Sequence, residues 1–375
     1  MLKTALVLGG GGARAAYQVG ALLAIRELLG DPTTNPFPIL CGTSAGAVNA
    51  ATLACHANNF SSAVEALADV WRNMHAGQIY RSDPLGMGIA GARWLSALLL
   101  GWVIQRSPRS LLDNQPLRRL LEQRLNFGNI DRCISSGALY ALSITASGYT
   151  TGHGVSFFQG HPEVERWQRT NRVGCRAHLS VEHLMASSAL PFIFPAVYLN
   201  REYFGDGSMR QQAPISPAIH LGAEKILIIG VAQINDTTGR QSSQSYPTLA
   251  QIAGHVLSSI FLDSLAVDVE RMERINQAIS KIPEDLLTSG DIGLRSVQSL
   301  TITPSERIDY LAARHTRALP LTVRTLLRGL GAMNRRGGAL TSYLLFEQPY
   351  TQALIDLGYK DTMARRGEVK AFLEC

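Results

Sequence analysis

The chain has 375 residues, of which 46% are hydrophobic, so it holds enough apolar material for one large domain or for a main domain with an appendage. Its 35 basic and 29 acidic residues leave an excess too small for a dedicated nucleic-acid binder, although a basic surplus suits an anionic lipid surface. The five cysteines lie far apart and form no CxxC pair, which argues against a disulfide framework and a zinc site. We therefore predict no metal, no cofactor and no nucleic-acid partner.

The N-terminal stretch MLKTALVLGG has too short an apolar run for a signal peptide, and its glycines are typical of a strand that ends in a turn. We therefore expect a cytoplasmic protein, with the inner face of the membrane as a place of peripheral contact. The sequence offers no basis for predicting an oligomeric state.

Units of strand, glycine turn and helix occur twice in the first 56 residues, which predicts a parallel sheet with crossover helices. Later apolar runs add strands to that sheet. The expected elements are a strand at 4–8, a helix at 15–29, a strand at 37–41, a helical stretch from the following GTSAG turn to about residue 56, and strands at 139–144 and 226–231.

The most hydrophobic stretch of the chain is 85–104, LGMGIAGARWLSALLLGWVI. An arginine near its middle and several glycines make a membrane-spanning helix the least favoured interpretation. A buried helix and an amphipathic segment at a membrane surface are the other two. Aromatic and basic anchors for such a surface are Trp94, Trp102, Arg106 and Arg109.

A polar loop at 235–248 is the clearest break in the chain, and the pattern beyond it is largely helical. We therefore divide the chain into a core at 1–235 and a mostly helical extension at 236–375 that packs on or next to it. Seven arginines and one acid, Asp309, occur between 307 and 336. Such a run is typical of the solvated side of helices, with a phosphate-facing surface as the alternative.

Ser44 lies in a G-x-S-x-G pattern directly after the second predicted strand. This pattern places a serine on a sharp turn between strand and helix, where its oxygen can reach a substrate carbonyl. Glycines on either side permit the strained backbone and the close approach of the helix. The residues of this nucleophile elbow are Gly42, Thr43, Ser44, Ala45 and Gly46.

A second glycine cluster, GGGGAR at 9–14, follows the first predicted strand. It satisfies the loose G-x-G-x-x-A form of a dinucleotide-binding loop, but the acid expected at the end of the second strand is missing. The alternative is an anion pocket, because consecutive glycines expose their N–H groups ahead of a helix N-terminus. Its residues are Gly10, Gly11 and Gly12, with Arg14 adding positive charge.

A third motif, YFGDGS, places Asp206 between Gly205 and Gly207. An aspartate in a glycine turn either caps the turn or serves as a base. In a serine hydrolase of chain order Ser, Asp, His the histidine would follow, and His220, His255 and His315 are available. That fold, however, places its elbow after several strands, whereas Ser44 follows the second.

Taken together, GGGGARAAY, GTSAGAVNA and FGDGS resemble the motifs of the patatin-like phospholipases, in their bacterial branch. The intervening stretches SLLDNQPLRRLL and ASSALPFIFPAV are also similar to that branch, and the resemblance covers about residues 4 to 235. Two positions depart from the family pattern: Ala15 stands where glycine is usual, and Ser208 where glycine or alanine is usual. Neither departure removes a group that carries chemistry.

The resemblance implies a three-layer α/β/α fold with a mainly parallel sheet and a Ser-Asp dyad without histidine. Ser44 matches the nucleophile, Asp206 the base, and Gly10 to Gly12 the oxyanion loop. The implied activity is hydrolysis of lipid acyl esters, as in a phospholipase A or lysophospholipase, with an acyl-enzyme intermediate. Triacylglycerols or small esters are alternative substrates, and a lipid-binding or regulatory protein without turnover is an alternative of another class.

Overall fold

A computed structural model describes residues 3–83, 110–211, 213–233, 249–259, 264–282, 295–329, 331–332 and 338–374. The hydrophobic stretch at 85–104 lies outside these residues, and so do Trp94, Trp102, Arg106, Arg109 and the polar loop at 235–248. None of the helices in the described ranges is long and apolar enough to cross a membrane.

The first half of the chain contains most of the strands together with several helices, and helices dominate the second half. The described strands are β1 (Thr4–Leu8), β2 (Ile39–Thr43), β3 (Ala141–Gly148), β4 (Gly154–Gly160), β5 (Trp167–Arg169), β6 (Arg172–Arg176), β7 (Val197–Leu199), β8 (Glu202–Asp206), β9 (Lys225–Ile229) and β10 (Gln298–Ile302). The described helices are α1 (Ala16–Leu28), α2 (Ala45–Cys55), α3 (Phe60–Arg72), α4 (Gln115–Arg124), α5 (Gly128–Ser135), α6 (Val181–Ser187), α7 (Ser216–His220), α8 (Leu249–Ser258), α9 (Ser264–Ile279), α10 (Ile308–His315), α11 (Leu321–Gly329), α12 (Gly338–Leu344), α13 (Gln348–Ala364) and α14 (Arg366–Glu374).

These strands form one mixed sheet with the order β10-β9-β1-β2-β3-β4-β6-β5, to which the hairpin of β7 and β8 is attached through β3. In the part of the sheet from β10 through β9, β1 and β2 to β3, all neighbouring strands are parallel. Antiparallel pairing begins where β4 and β8 meet β3. The predicted α/β fold with a mainly parallel sheet and a helical C-terminal region is therefore confirmed.

Both faces of the sheet are buried under helices, as parallel strands require. In β1, Leu6 and Leu8 point into a core shared with α1, α2, α3 and α13. Ala5 and Val7 point the other way, into a second core that includes residues of α7 and α9. Because successive side chains of a strand point to opposite faces of the sheet, β1 contributes residues to both cores. The sheet is therefore the middle of three layers, with helices on each side.

The predicted second strand begins two residues later than expected, at Ile39. Pro36 and Pro38 precede it, and proline has no N–H to donate to a neighbouring strand. The strand also ends two residues later than expected, at Thr43, directly in front of Ser44.

The C-terminal region shares the sheet and the core of the rest of the chain. β10 lies parallel to β9 at the sheet edge, although we predicted mainly helices there. α13 crosses α1 at two glycines: a Cβ on Gly20 would lie 1.9 Å from the carbonyl oxygen of Ile355, and one on Gly358 would lie 2.1 Å from that of Tyr17. The division at residue 235 stays a prediction.

Candidate active site

Ser44 occupies the single-residue turn between β2 and α2, with φ of 54° and ψ of −128°. A positive φ is uncommon for a non-glycine residue and persists only where the surroundings enforce it. Here the Ser44 N–H donates to Ser187 Oγ at 2.8 Å, and Ser187 Oγ donates to the carbonyl of Thr145 on β3 at 2.6 Å. Two hydrogen bonds in series therefore anchor the strained turn to the sheet.

The glycines of this turn leave no room for a side chain. A Cβ on Gly42 would lie 2.5 Å from Ala47 Cα, and one on Gly46 would lie 2.3 Å from the carbonyl oxygen of Leu8. The start of α2 thus lies against the end of β1, where the glycine cluster at 9–12 begins. The two glycine motifs of the sequence meet here.

In the glycine cluster, Gly12 has φ of 56° and opens a short 3₁₀ turn at Gly12–Ala15 that leads into α1. Gln18 Nε2 donates to the carbonyl of Gly9 at 2.8 Å and so holds the loop against its own helix. Arg14 is only 4% exposed. Its Nε donates to Ser342 Oγ at 2.8 Å, and its guanidinium lies 4.1 Å from the ring centre of Tyr343. Arg14, which we predicted to add positive charge to the loop, therefore lies beside the loop with its side chain in contact with α12.

Asp206 ends β8 and is 1% exposed. Its N–H donates to the carbonyl of Ala189, and its Oδ1 accepts from the Ser208 N–H, each at 2.9 Å. Oδ2 is buried without a hydrogen bond of regular geometry to any described residue, although the Ser44 side chain is close enough to act on the carboxylate.

Burial raises the pKa of Asp206 from 3.8 to about 6, against the lowering effects of the nearby Ser44 side chain and of hydrogen bonding from Ser208. A buried carboxylate that keeps a raised pKa and an open acceptor oxygen is a stronger base than one in water. The flanking glycines bring this turn close to its neighbours, since a Cβ on Gly207 would lie 2.0 Å from the carbonyl oxygen of Thr145.

Ser44, Asp206 and Gly12 line one cavity of about 240 Å³. Ser44, Val48, Thr52 and His56 follow one face of α2 at intervals of four residues, and all four line the cavity. Most other lining residues are apolar and come from α3, α4 and the loops beside them, among them Leu67, Trp71, Met74, Leu117 and Leu121.

The cavity reaches from the buried serine to the protein surface. Twelve residues of helix correspond to about 18 Å, which is the distance along α2 from Ser44 to His56. The lining also includes Ala66 and Arg124, which are exposed. A mainly apolar space therefore extends from Ser44 along α2 and includes residues that are exposed to solvent.

The histidines that we considered for a triad do not line this cavity. His220 stacks on Trp167 in the layer on the other side of the sheet, with ring centres 4.9 Å apart. His315 lies near Tyr350, at 6.2 Å between ring centres. Among the described residues, no group of three or more His, Cys, Asp or Glu side chains is placed to hold a metal ion.

Our sequence reasoning missed two groups at the site. Ser187 lies in the ASSALP motif, which is similar to the family pattern but indicates no role for any single residue. Ser342 and Tyr343 carry no signal that the sequence alone could reveal, because they lie more than 300 residues from the loop that they contact.

Comparisons with known proteins agree with the motifs. Residues 6–219 match the family model described as patatin-like phospholipase. The chain is 28% identical over 212 residues to a cGAMP-activated phospholipase of Pseudomonas aeruginosa. The aligned region covers 56% of this chain and 53% of that protein. It is 29% identical over 110 residues to a cUMP-AMP-activated phospholipase of Escherichia coli, covering 24% of this chain and 34% of that protein.

The chain thus spans about half the length of the first of these relatives and about a third of the second. Among solved structures, VipD from Legionella pneumophila aligns with a TM-score of 0.39 at 12% identity, covering 98% of this chain and 67% of VipD.

Proposed function

The chain belongs to the patatin-like phospholipase family, and on that premise we propose that it is a lipid acyl hydrolase of the phospholipase A or lysophospholipase type. The observation that carries the proposal is the shared cavity in which a strained serine, a buried aspartate with a raised pKa and a glycine loop meet. In this proposal Ser44 is the nucleophile and Asp206 is the base.

In the first half of the reaction, Ser44 Oγ attacks the ester carbonyl carbon and gives its proton to Asp206. The negative charge that develops on the carbonyl oxygen is stabilised by N–H groups of the loop at Gly10 to Gly12, assisted by the field of Arg14. Collapse of this intermediate expels the alcohol, which takes the proton from Asp206. The acyl group stays on Ser44.

In the second half, a water molecule gives a proton to Asp206 and attacks the acyl-enzyme. The same loop stabilises the second oxyanion, and the fatty acid leaves as Ser44 recovers its proton from Asp206. No other base is required, which fits the position of the candidate histidines away from the cavity.

The shape of the cavity supports an acyl chain as the bound group. An acyl chain attached to Ser44 can extend along α2 past Val48 and Thr52, against the apolar side chains of α3 and α4. Apolar surface that leaves water contributes about 25 cal/mol per Å², so the fatty acyl group, rather than the alcohol, supplies most of the binding energy in this proposal.

Replacing Thr52 by phenylalanine tests this placement of the acyl chain. The larger side chain would block the cavity two helical turns from Ser44. We expect kcat/KM for a long-chain ester to fall at least about tenfold, since one methylene group in an apolar site is worth about 1–3 kcal/mol, while a short-chain ester is unaffected.

A surface control is Thr325→Phe on α11, at an exposed position. Thr325 also donates its hydroxyl to the carbonyl four residues earlier, as Thr52 does, but it lies outside the cavity. Equal chain-length profiles for the wild type and Thr52→Phe would mean that the acyl chain lies elsewhere.

Fatty-acid release measured with phospholipid, lysophospholipid, triacylglycerol and small soluble esters separates the alternatives within the enzyme class. A preference for triacylglycerol or small esters would replace the phospholipase proposal. Release from none of them, with retained binding to lipid, would favour a protein without turnover. Because two relatives are named as activated by cyclic nucleotides, each assay includes arms with cGAMP and with cUMP-AMP.

For the membrane contact, we propose a surface made of Tyr149, Tyr198 and Tyr203, called here the tyrosine rim. These side chains are 48%, 61% and 55% exposed. Tyr198 and Tyr203 are cross-strand partners in the β7–β8 hairpin, with ring centres 5.0 Å apart. Tyrosine is favoured at membrane interfaces because its ring is apolar and its tip is polar.

The tyrosine rim adjoins the turn that carries Asp206. The Tyr149 N–H donates to the carbonyl of Tyr203, and a Cβ on Gly205 would lie 2.6 Å from the Tyr149 hydroxyl. Arg201 and Arg210 are exposed nearby, while the carboxylate of Glu202 accepts hydrogen bonds from the backbone of Thr150 and Thr151. Aromatic rings with basic neighbours suit an anionic phospholipid surface.

Replacing both Tyr198 and Tyr203 by serine should lower binding to anionic phospholipid vesicles by about tenfold or more, since burying one aromatic side chain stabilises by about 1.5–3 kcal/mol. Turnover of a short soluble ester should not change. Tyr310→Ser serves as the control, because Tyr310 is 42% exposed on α10, outside the rim. If the double variant and this control bind vesicles equally well, the rim is not the contact surface.

A further inference from the structure

The helix α12 packs directly against the glycine loop. A Cβ on Gly12 would lie 2.3 Å from the carbonyl oxygen of Tyr343, so that the backbones of the two segments touch. Tyr343 and its neighbour Leu344 also line the cavity that contains Ser44. One wall of the cavity therefore comes from a part of the chain that lies well beyond residues 6–219, which match the family.

The side chain of Arg14 crosses this contact. It donates from Nε to Ser342 Oγ at 2.8 Å and lies over the ring of Tyr343. Among the described residues it forms no ion pair with a carboxylate within 4.0 Å. A buried cation is costly unless hydrogen bonds or aromatic rings replace its water, and α12 supplies both.

One hydrogen bond within α12 orients Ser342, and two hydrogen bonds from other segments hold the helix in place. Ser342 Oγ donates to the carbonyl of Ala339 at 2.5 Å, which directs the oxygen lone pairs toward Arg14. The hydroxyl of Tyr350 donates to the carbonyl of Ser342 at 3.4 Å, and that of Tyr80 donates to the carbonyl of Leu344 at 2.9 Å. The contact with the glycine loop is thus made by a braced element rather than by a single side chain.

We propose that Ser342 is a positioning residue, which holds Arg14 and through it fixes the N–H groups of the glycine loop for the developing oxyanion. This inference rests on the proposed function for its catalytic consequence. It makes turnover depend on the C-terminal region, so that any ligand or partner that moves α12 would change the rate at Ser44.

The test compares Ser342→Ala with Thr341→Ala in the full chain. Thr341 is the adjacent buried residue of α12, and its hydroxyl donates to the carbonyl of Ala332 instead of contacting the glycine loop. Thr341→Ala loses the hydrogen bond to the carbonyl of Ala332, whereas Ser342→Ala loses both the bond from Arg14 and the bond to the carbonyl of Ala339 within α12. We expect Ser342→Ala to lower kcat for a soluble ester about tenfold or more with little change in KM, because small displacements of catalytic groups cost up to about 100-fold. Thr341→Ala should keep the wild-type kcat.

Hydrogen exchange of the amides at residues 9–13 supplies a readout that needs no turnover. Exchange there should become faster in Ser342→Ala and should stay at the wild-type rate in Thr341→Ala. Unchanged exchange in Ser342→Ala, or equal loss of kcat in both variants, would overturn the positioning role. If the wild type hydrolyses no ester, the proposed function fails, whereas the exchange measurement still decides whether Ser342 holds the loop.

Discussion

Fatty-acid release from phospholipid vesicles should fall at least about a thousandfold in Ser44→Ala and in Asp206→Asn, since removing the nucleophile or the acceptor carboxylate of a serine hydrolase costs about 10⁴- to 10⁶-fold in kcat. Alanine at position 44 removes the oxygen that forms the acyl-enzyme in the proposed mechanism. Asparagine at position 206 keeps the size of the side chain and can still accept from the Ser208 N–H, but it cannot accept a proton from Ser44.

Two features make these variants informative. Ser44→Ala removes one oxygen atom and Asp206→Asn replaces one oxygen by an amide nitrogen, so both substitutions nearly keep the size of the side chain and should leave the fold intact. Ser143→Ala is the matched control: Ser143 is a buried serine whose hydroxyl has no hydrogen-bond partner among the described residues, and it does not line the cavity. If Ser44→Ala releases fatty acid as fast as Ser143→Ala does, the dyad proposal is wrong.

The rate should also follow the ionisation of Asp206. Its pKa is raised to about 6 by burial, and only the ionised carboxylate can accept the proton of Ser44. Below about pH 6, kcat/KM for a soluble ester should therefore fall about tenfold per pH unit, and above pH 7 it should be flat. A profile without an acid limb between pH 5 and 7 would contradict the role of Asp206 as base.

The same shift predicts a change in stability with pH. Because the pKa of Asp206 in the folded protein is about 6, above its ordinary value of 3.8, the folded state binds this proton more tightly than the unfolded chain. The stabilisation is complete below about pH 3.8 and is lost as the pH rises through 6; the shift corresponds to about 3 kcal/mol. The free energy of unfolding of the wild type, relative to that of Asp206→Asn, should therefore decrease by about this amount from pH 4 to pH 7. Parallel pH profiles for the two proteins would mean that the carboxylate is not desolvated.

Local patterns allowed the central part of the fold to be predicted. An apolar run, a glycine turn and a helical period are all encoded within about 25 residues, so the units around β1 and β2 could be recognised without tertiary information. The position of Ser44 after the second strand then indicated that its loop partner follows the first. The structure brings both motifs together at the C-terminal ends of β1 and β2, because these strands are adjacent and parallel.

Contacts between distant segments could not be predicted in this way. β10 is a short strand with polar residues, and only pairing with β9 makes it part of the sheet. The packing of α12 on Gly12, and the hydrogen bond from Arg14 to Ser342, join segments more than 300 residues apart. Such contacts depend on how distant segments pack in the folded protein. Neither hydrophobic periodicity nor a short motif carries information about them.

The roles of Trp94, Trp102, Arg106 and Arg109 at a membrane stay predictions, because these residues lie outside the described part of the chain. The tyrosine rim offers a second surface for the same contact, on residues that we had not selected from the sequence. Comparing the vesicle binding of variants in each group would show which of the two surfaces meets the lipid.

The most direct test of the central claim is to react the protein with a long-chain acyl phosphonate and to locate the adduct by mass spectrometry. We predict one phosphonyl group on Ser44 of the wild type, formed much more slowly in Asp206→Asn and absent from Ser44→Ala. A wild-type protein that hydrolyses lipid esters but carries the adduct on another residue, or on none, would contradict the assignment of Ser44 as the nucleophile.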